Sequence, residues 1–336
     1  MVEQINIKKL REISPVFPLF DVRTPSEYAK GHIPKAHNLA LFTDEERAIV
    51  GTIYKKESPQ KALLKGLEFV GPKMRSLIET VEAITDSKKV AVHCWRGGKR
   101  SGSVGWLLGM AGYEVLTLAG GYKAYRNHVL SQFHEQSMKM IILGGKTGCG
   151  KTKILKTLAK KGEQIIDLEK LAHHKGSAFG FIGEAIPPTV EQFENNLFEA
   201  LSQLDLTKRI WVENESRRIG KVLIPEGFWE KMKNAPLINI ELPFEVRLSV
   251  SLENYSTREQ KELSQAFYNI RKRLGGLQYQ QALQFLAAGN LKAAGTIALK
   301  YYDKQYQYML ENNEAPSIDY LPVSYTHLTL PTTPYV

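Results

Sequence analysis

A cysteine, two glycines and three cations stand close together in this chain, and these residue types could do chemistry. Cys94 follows the apolar residues 90–92, and the loop after it contains Arg96, Gly97, Gly98, Lys99 and Arg100. Successive N–H groups of a glycine loop can point at one spot, where they stabilise a thiolate or a bound oxyanion. Nearby cations favour the ionised thiol. We therefore predict that Cys94 is a nucleophile, rather than an inert buried cysteine before a turn.

A second loop has the spacing that binds phosphate. Residues 145–152, called the P-loop below, fit the pattern G-x-x-x-x-G-K-T between an apolar run at 140–143 and a helical pattern at 153–161. A strand before and a helix after are the context that this pattern requires. The loop amides should cradle a diphosphate, Lys151 should neutralise its outer oxygens, and Thr152 could bind Mg²⁺. The predicted binding residues are Gly145, Thr147, Gly148, Gly150, Lys151 and Thr152.

Acidic and basic side chains follow later strand candidates. Asp167 and Glu213 come at strand ends, and either could hold a metal or orient a water, although one of them could instead cap a helix. Arg217 and Arg218 stand on the same rim, as anion ligands or as a surface cation pair. We count all four as candidate binding residues.

The amino-acid composition indicates what kind of partner the protein binds and in which cellular compartment it is expected. The 336 residues are enough for two domains, and 45 Lys and Arg against 35 Asp and Glu give a net charge of +10, which favours a polyanionic partner. Basic residues 271–273, with Tyr279, Tyr301 and Tyr302, are either a contact for single-stranded RNA or a solvated helix face. Two cysteines and no apolar signal or spanning segment predict a cytoplasmic protein, whose oligomeric state the sequence does not indicate.

The pattern of elements predicts an α/β fold. We expect a strand at 17–22, helix starts with capping boxes at Thr24 and Thr43, a strand at 114–118, and a linker at 126–139. Strand candidates at 164–166, 209–212 and 237–242 alternate with helical stretches, which predicts a parallel sheet. No charged residue follows position 319, and residues 324–334 read unlike the rest of the chain. We set that stretch aside as a foreign or misassembled terminus and expect that the native chain is truncated near Pro322.

Two sets of motifs resemble known families. Residues 21–23, 27–28 and 31–36 resemble the opening of rhodanese domains, in which a later strand carries a cysteine loop where Cys94 stands. Together with residues 42–47, 94–98, 167–169, 176–180 and 215–220, they resemble the bacterial tRNA 2-selenouridine synthase family over about residues 15–322. The resemblance implies a rhodanese-like α/β domain at 1–130, a P-loop parallel-sheet domain at 138–322, and a tail at 323–336.

The resemblance also implies an activity. Members of that family replace the sulfur of wobble 2-thiouridine in tRNA by selenium from selenophosphate, through an S-geranylated uridine made from geranyl diphosphate. The expected partner is the anticodon arm of tRNA, the co-substrates are selenophosphate and geranyl diphosphate, and no tightly bound cofactor is expected apart from Mg²⁺ at Thr152.

Two other enzyme classes remain open at this point. Residues 93–101 also fit the loop of cysteine-dependent phosphatases, for which Asp44 or Glu45 would have to serve as the general acid. Alternatively, the second domain is a kinase or ATPase and the cysteine domain only a binding module.

Overall fold

The computed structural model describes residues 2–13, 17–255, 258–312 and 315–322. The predicted tail at 323–336 lies outside these residues. The chain divides into two units, one formed by Met1–Gln132 with Glu194–Glu199 and the other by Phe133–Phe193 with Ala200–Val336.

The first unit holds a five-stranded parallel sheet in the order β1-β5-β4-β2-β3. The strands are β1 (Val2–Ile5), β2 (Leu19–Asp21), β3 (His37–Asn38), β4 (Lys89–His93) and β5 (Glu114–Leu118). The helices are α1 (Ile7–Ile13), α2 (Pro25–Lys30), α3 (Asp44–Lys56), α4 (Pro59–Val70), α5 (Met74–Ile84), α6 (Lys99–Met110) and α7 (Gly121–Glu135). Because all strands run parallel, the loops after β2 and β4 meet at one edge of the sheet.

Local sequence signals explain several of these elements. Thr24 and Thr43 each form the predicted capping box, because each side chain accepts a hydrogen bond from the third helical N–H, and a glutamate there accepts one from the cap. The strand at 114–118 is also confirmed.

The predicted linker at 126–139 contains the boundary between the two units, after Gln132, but most of it is helix. Helix α7 continues to Glu135, and Val129 and Phe133, four positions apart, are buried on one face of it. The polar residues on the other faces of the helix conceal this apolar stripe, which is why composition suggested a linker. Strand β1 and helix α1 were also not predicted.

The second unit holds another five-stranded parallel sheet, in the order β12-β11-β6-β8-β7. The strands are β6 (Lys139–Gly145), β7 (Gln164–Ile166), β8 (Arg209–Glu213), the small antiparallel pair β9 (Arg218–Ile219) and β10 (Val222–Leu223), β11 (Leu237–Glu241) and β12 (Ile318–Pro322). The helices are α8 (Lys151–Lys160), α9 (Leu168–Ala172), α10 (Val190–Ser202), α11 (Glu226–Lys233), α12 (Phe244–Tyr255), α13 (Gln260–Leu274), α14 (Gly276–Ala287) and α15 (Leu291–Glu311). The protein is therefore α/β with two parallel-sheet domains, as predicted.

The end of the described chain differs from the prediction. Residues 320–322, at the end of the predicted P-loop domain, belong to β12, a strand that was not predicted, and pair with β11 in parallel register. Charge alone could not reveal this strand, because its partner lies about 80 residues earlier in the sequence.

Candidate functional site

The Cys94 loop follows β4 and leads into α6. Cys94 is buried, and its Sγ lies 3.3 Å from Ser101 Oγ. Burial by itself raises the pKa of this thiol, but hydrogen bonds from the Ser101 hydroxyl and from the N–H groups of Ser101, Arg96 and Gly98 outweigh it and lower the pKa. The loop thus favours a thiolate, as predicted for a nucleophile.

The cations around this loop act differently from the prediction. Arg96 and Lys99 are exposed, whereas Arg100 forms an ion pair with Glu27 at 2.6 Å. The groups that hold the thiol pKa down are amides and a hydroxyl. The attribution of that effect to the three cations is therefore corrected, because the largest effects that lower this pKa are hydrogen bonds from the Ser101 hydroxyl and from backbone N–H groups.

Glycine is required at two points of the loop's backbone. Gly97 has φ of +65°, and a Cβ there would lie 2.5 Å from the Leu118 carbonyl oxygen. Gly121 has φ of +58°, and a Cβ there would collide with the Cys94 carbonyl oxygen. The backbone N–H of Tyr122 donates to that same carbonyl at 2.8 Å. The first residues of α7 therefore support the Cys94 loop through direct contact. A side chain at position 121 would push the loop out of place.

A buried charge network lies beneath the loop. The Arg23 guanidinium forms an ion pair with Asp21 at 2.5 Å and lies 3.8 Å from the centre of the Tyr122 ring. Asp21 and Arg23 are almost fully buried. The two residues brace strand β2. His93 lies 3.8 Å from Asp21, and burial lowers the pKa of its ring.

The P-loop connects β6 to α8, as predicted. Gly148 and Gly150 have φ of +82° and +79°, the left-handed conformation that turns a glycine loop around an anion. Lys151 Nζ donates to the Gly145 carbonyl at 3.2 Å. Burial lowers the pKa of Lys151, but attraction to Cys149 and to three glutamates dominates and raises it, so this lysine is charged.

A cluster of carboxylates faces Lys151 and Thr152. The Thr152 hydroxyl donates to Glu213 at 2.9 Å and lies 3.4 Å from Glu169, and Glu215 is buried beside them. Burial, reinforced by mutual repulsion, raises the pKa of all three glutamates. Only Glu213 had been predicted as a site residue. Glu169 and Glu215 were missed because their positions after β7 and β8 become close only in the folded sheet.

Asp167 has the alternative role that the sequence left open. Its carboxylate accepts a hydrogen bond from the Lys170 N–H at 2.8 Å and caps α9. This carboxylate is therefore engaged at the helix start, whereas Glu213 is the acid that contacts Thr152.

Arg247 and Tyr306 brace the P-loop and were not predicted. Arg247 is 3% exposed and donates to the Thr147 carbonyl at 3.1 Å and to both Asp303 carboxylate oxygens at 2.7 and 2.8 Å. The Tyr306 hydroxyl accepts from the Gly145 N–H at 2.5 Å and donates to Asn239 at 2.6 Å. No sequence pattern indicates these two contacts, because Arg247 in α12 and Tyr306 in α15 lie about 100 and 160 residues beyond the P-loop.

The remaining predicted residues are divided between surface and core. Arg217 and Arg218 are exposed beside β9, and Arg217 lies 3.9 Å from Glu226. Tyr301 is buried and packs edge-on against Tyr302 at 5.1 Å between ring centres. Tyr301 belongs to the core and Tyr302 packs against it, so neither suits the RNA contact that was one of the two alternatives left open for this region.

The residues at the P-loop fit a magnesium ion. One oxygen of Glu213 is buried and has no hydrogen-bond partner, and the Thr152 hydroxyl lies beside the other. Within the described residues, no group of three or more His, Cys, Asp or Glu side chains is arranged to hold a metal by itself. Mg²⁺ usually binds through one or two carboxylates together with waters and substrate phosphates, which is what this donor set offers.

Comparisons with known proteins match both units. A family model described as the tRNA 2-selenouridine synthase AAA domain matches residues 138–320, and the rhodanese-like domain matches residues 5–128. The tRNA 2-selenouridine synthase of Hydrogenovibrio crunogenus is 34% identical over 88% of this chain and 90% of its own length. The tRNA 2-selenouridine synthase of Sulfurovum sp. is 32% identical over 88% of this chain and 89% of its own length.

Solved structures were also compared. A rhodanese-related protein from Thermoplasma volcanium is 20% identical over 38% of this chain and 92% of its own, with a TM-score of 0.24. In the part of this chain that the structure describes, no helix has the length and hydropathy to cross a membrane.

Proposed function

The chain belongs to the tRNA 2-selenouridine synthase family, and we propose that it replaces the sulfur of wobble 2-thiouridine in tRNA by selenium from selenophosphate, through an S-geranyl-2-thiouridine intermediate. One observation carries this proposal: a chain of that family has a thiol with a lowered pKa in one unit and a complete P-loop with a charged, buried lysine in the other. The two sites suit the two anionic co-substrates.

The P-loop suits the diphosphate of an allylic donor. In the first step, the sulfur of 2-thiouridine attacks the carbon that carries the diphosphate, and the diphosphate departs with the negative charge. The loop amides and Lys151 stabilise that developing charge, so nucleotide hydrolysis is not required. Thr152 and Glu213 would hold Mg²⁺, which supplies further charge neutralisation at the leaving diphosphate.

The Cys94 loop suits selenophosphate. Its inward N–H groups are arranged for an oxyanion, and selenophosphate is tetrahedral like the phosphate that loops of this length hold. The Cys94 thiolate then acts either on the incoming selenium or on the sulfur group that leaves the base. In this assignment, Arg96, Gly97, Gly98 and Arg100 complete the catalytic loop, and Arg217 and Arg218 extend the positive rim of the second unit.

Nucleoside mass spectrometry of a deletion strain tests the proposal. We expect 2-selenouridine to disappear from tRNA and to return with the wild-type gene, but not with Cys94→Ala or Lys151→Ala. A Ser103→Ala variant on α6 is the control, since that hydroxyl donates only to the helix backbone, and it should restore the nucleoside. Unchanged 2-selenouridine in the deletion strain would contradict the proposal.

Purified protein separates the two alternative enzyme classes. A phosphatase would hydrolyse an aryl phosphate in a Cys94-dependent way, but Asp44 suits the general-acid role poorly, because hydrogen bonds from Ser26 and Thr24 lower its pKa. A kinase or ATPase would turn over ATP in a Lys151-dependent and Cys94-independent way. We expect little of either reaction.

A further inference from the structure

The outer face of the α13–α14 hairpin has an unusual composition. Residues 260–302, which cover α13, α14 and the first half of α15, contain six Lys and Arg residues, four of them in α13, and a single acidic residue, Glu262. Helix α14 has no charged residue but carries four glutamines. This segment therefore contributes a large part of the positive charge of the chain, together with many amide groups that can read base edges.

Packing fixes which side of the hairpin faces solvent. Leu263, Phe267 and Ile270 of α13 are buried in one cluster with Ala282 and Leu286 of α14. Since these apolar residues, with the partly buried Tyr279 packed against them, hold the two helices together, the exposed cations and glutamines and Tyr268 are not needed for that packing.

An open groove of about 550 Å³ lies on this exposed side. It is lined by Gln260, Lys261, Ser264, Gln265, Tyr268 and Tyr279. Tyr268 is 46% exposed, and the Arg271 guanidinium lies 3.6 Å from the centre of its ring. A half-exposed aromatic ring with a stacked guanidinium and neighbouring amides is the combination that binds unpaired bases and their phosphates.

We propose that this groove docks single-stranded RNA, with an unpaired base stacked on Tyr268 and with Lys261, Arg271, Lys272 and Arg273 at the flanking phosphates. The proposal rests on the proposed function, which supplies tRNA as the RNA. It revises the sequence-based prediction for this region: Tyr268 replaces the buried Tyr301 as the stacking residue.

Two variants of the full-length protein test the two components of the groove. Tyr268→Ala should weaken tRNA binding about tenfold, because one base loses its stacking partner, whereas Tyr268→Phe should bind like wild type. The double variant Lys272→Gln, Arg273→Gln should reduce the slope of log Kd against log salt concentration. The expected reduction corresponds to the loss of about one to two phosphate contacts. Lys160→Gln with Lys161→Gln, an exposed pair on α8, is the control for overall charge.

The outcomes separate this inference from the proposed function. If the wild type restores 2-selenouridine and all variants bind tRNA equally, the groove is not the RNA site, although the function stands. If the control pair weakens binding as much as Lys272 and Arg273 do, only general charge acts and the inference is overturned. If the wild type binds no tRNA, both proposals fail. Competition by an unpaired oligonucleotide but not by a duplex would support the stacking of an unpaired base.

Discussion

At Cys94, two physical effects act on one thiol in opposite directions. Burial disfavours the thiolate, whereas hydrogen bonds from Ser101 and the loop amides favour it, and the second effect is larger. The reactivity of this cysteine therefore depends on donors that are fixed by backbone geometry, which a positive charge elsewhere on the loop does not replace.

Removing the Ser101 hydroxyl should raise the pKa of Cys94. We expect the thiolate absorbance band of Ser101→Ala to appear at higher pH than in wild type, and selenouridine formation at neutral pH to fall with it. Ser103→Ala is the control, because that hydroxyl donates to the backbone of α6 and not to the sulfur. Identical thiolate titrations for Ser101→Ala and wild type would show that the amides act alone.

The glutamates at the P-loop give a pH prediction. Because their pKa values are raised, lowering the pH from about 9 to about 6 protonates them and removes repulsion toward a bound anion. Without Mg²⁺, inorganic diphosphate should therefore bind more tightly as the pH falls. Glu213→Gln should bind more tightly at high pH and show a flatter profile, measured by calorimetry.

An exposed carboxylate provides the control for that measurement. Glu230→Gln removes one negative charge from the exposed side of α11 in the same unit and should leave the pH profile of wild type unchanged. A Glu213→Gln profile as steep as that of wild type would assign the pH dependence to other groups.

At the scale of elements, each loop owes its shape to the element that supports it. The start of α7 supports the Cys94 loop through Gly121, and the first turns of α12 support the P-loop, where a Cβ on Gly148 would lie 2.5 Å from the Arg247 carbonyl oxygen. Substitutions at such contacts change a site without touching a reacting group.

Two adjacent glycines of the Cys94 loop should respond differently to alanine. Gly97→Ala places a Cβ against the Leu118 carbonyl in a left-handed conformation and should cost about 2 kcal/mol or more of local stability. A Cβ at Gly98 would have no other atom within 4 Å, so Gly98→Ala should cost little stability. Hydrogen exchange of peptides from β4 and α6 measures both, and equal protection in the two variants would contradict the contact.

Breaking the brace behind the P-loop should weaken anion binding. Arg247→Lys keeps the charge but loses the paired bonds to Asp303 and the bond to Thr147, so we expect diphosphate to bind about tenfold more weakly. Arg209→Lys, which alters an exposed pair with Glu163, is the matched control. Unchanged affinity in Arg247→Lys would show that the loop holds its shape without α12 and α15.

The sequence was sufficient to predict those features that depend on residues close together along the chain. The capping boxes, the P-loop between β6 and α8, and the Cys94 loop after β4 are local patterns, and the structure has them where expected. Arg247, Asp303, Tyr306 and the pair Glu169 and Glu215 could not be found in this way. Their roles arise from contacts between distant segments, for which one sequence holds no periodic or spacing signal.

For the whole molecule, the net charge of +10 makes an ionic contribution to RNA binding that no single residue carries. Raising the salt concentration about threefold should weaken tRNA binding by about tenfold or more, since each neutralised phosphate releases counterions. Filter binding at several salt concentrations measures the slope. A Kd independent of salt would contradict an electrostatic contact.

The ion pair between Glu27 and Arg100 has a consequence for ligand exchange. An anion entering the Cys94 loop competes with an internal carboxylate for the same guanidinium. Although burial raises the pKa of Glu27, hydrogen bonds and the charge of Arg100 lower it overall, so this competitor stays ionised throughout the neutral range. Under the proposed function, an oxyanion that binds at Arg100 therefore has to displace an ionised carboxylate that belongs to the protein itself.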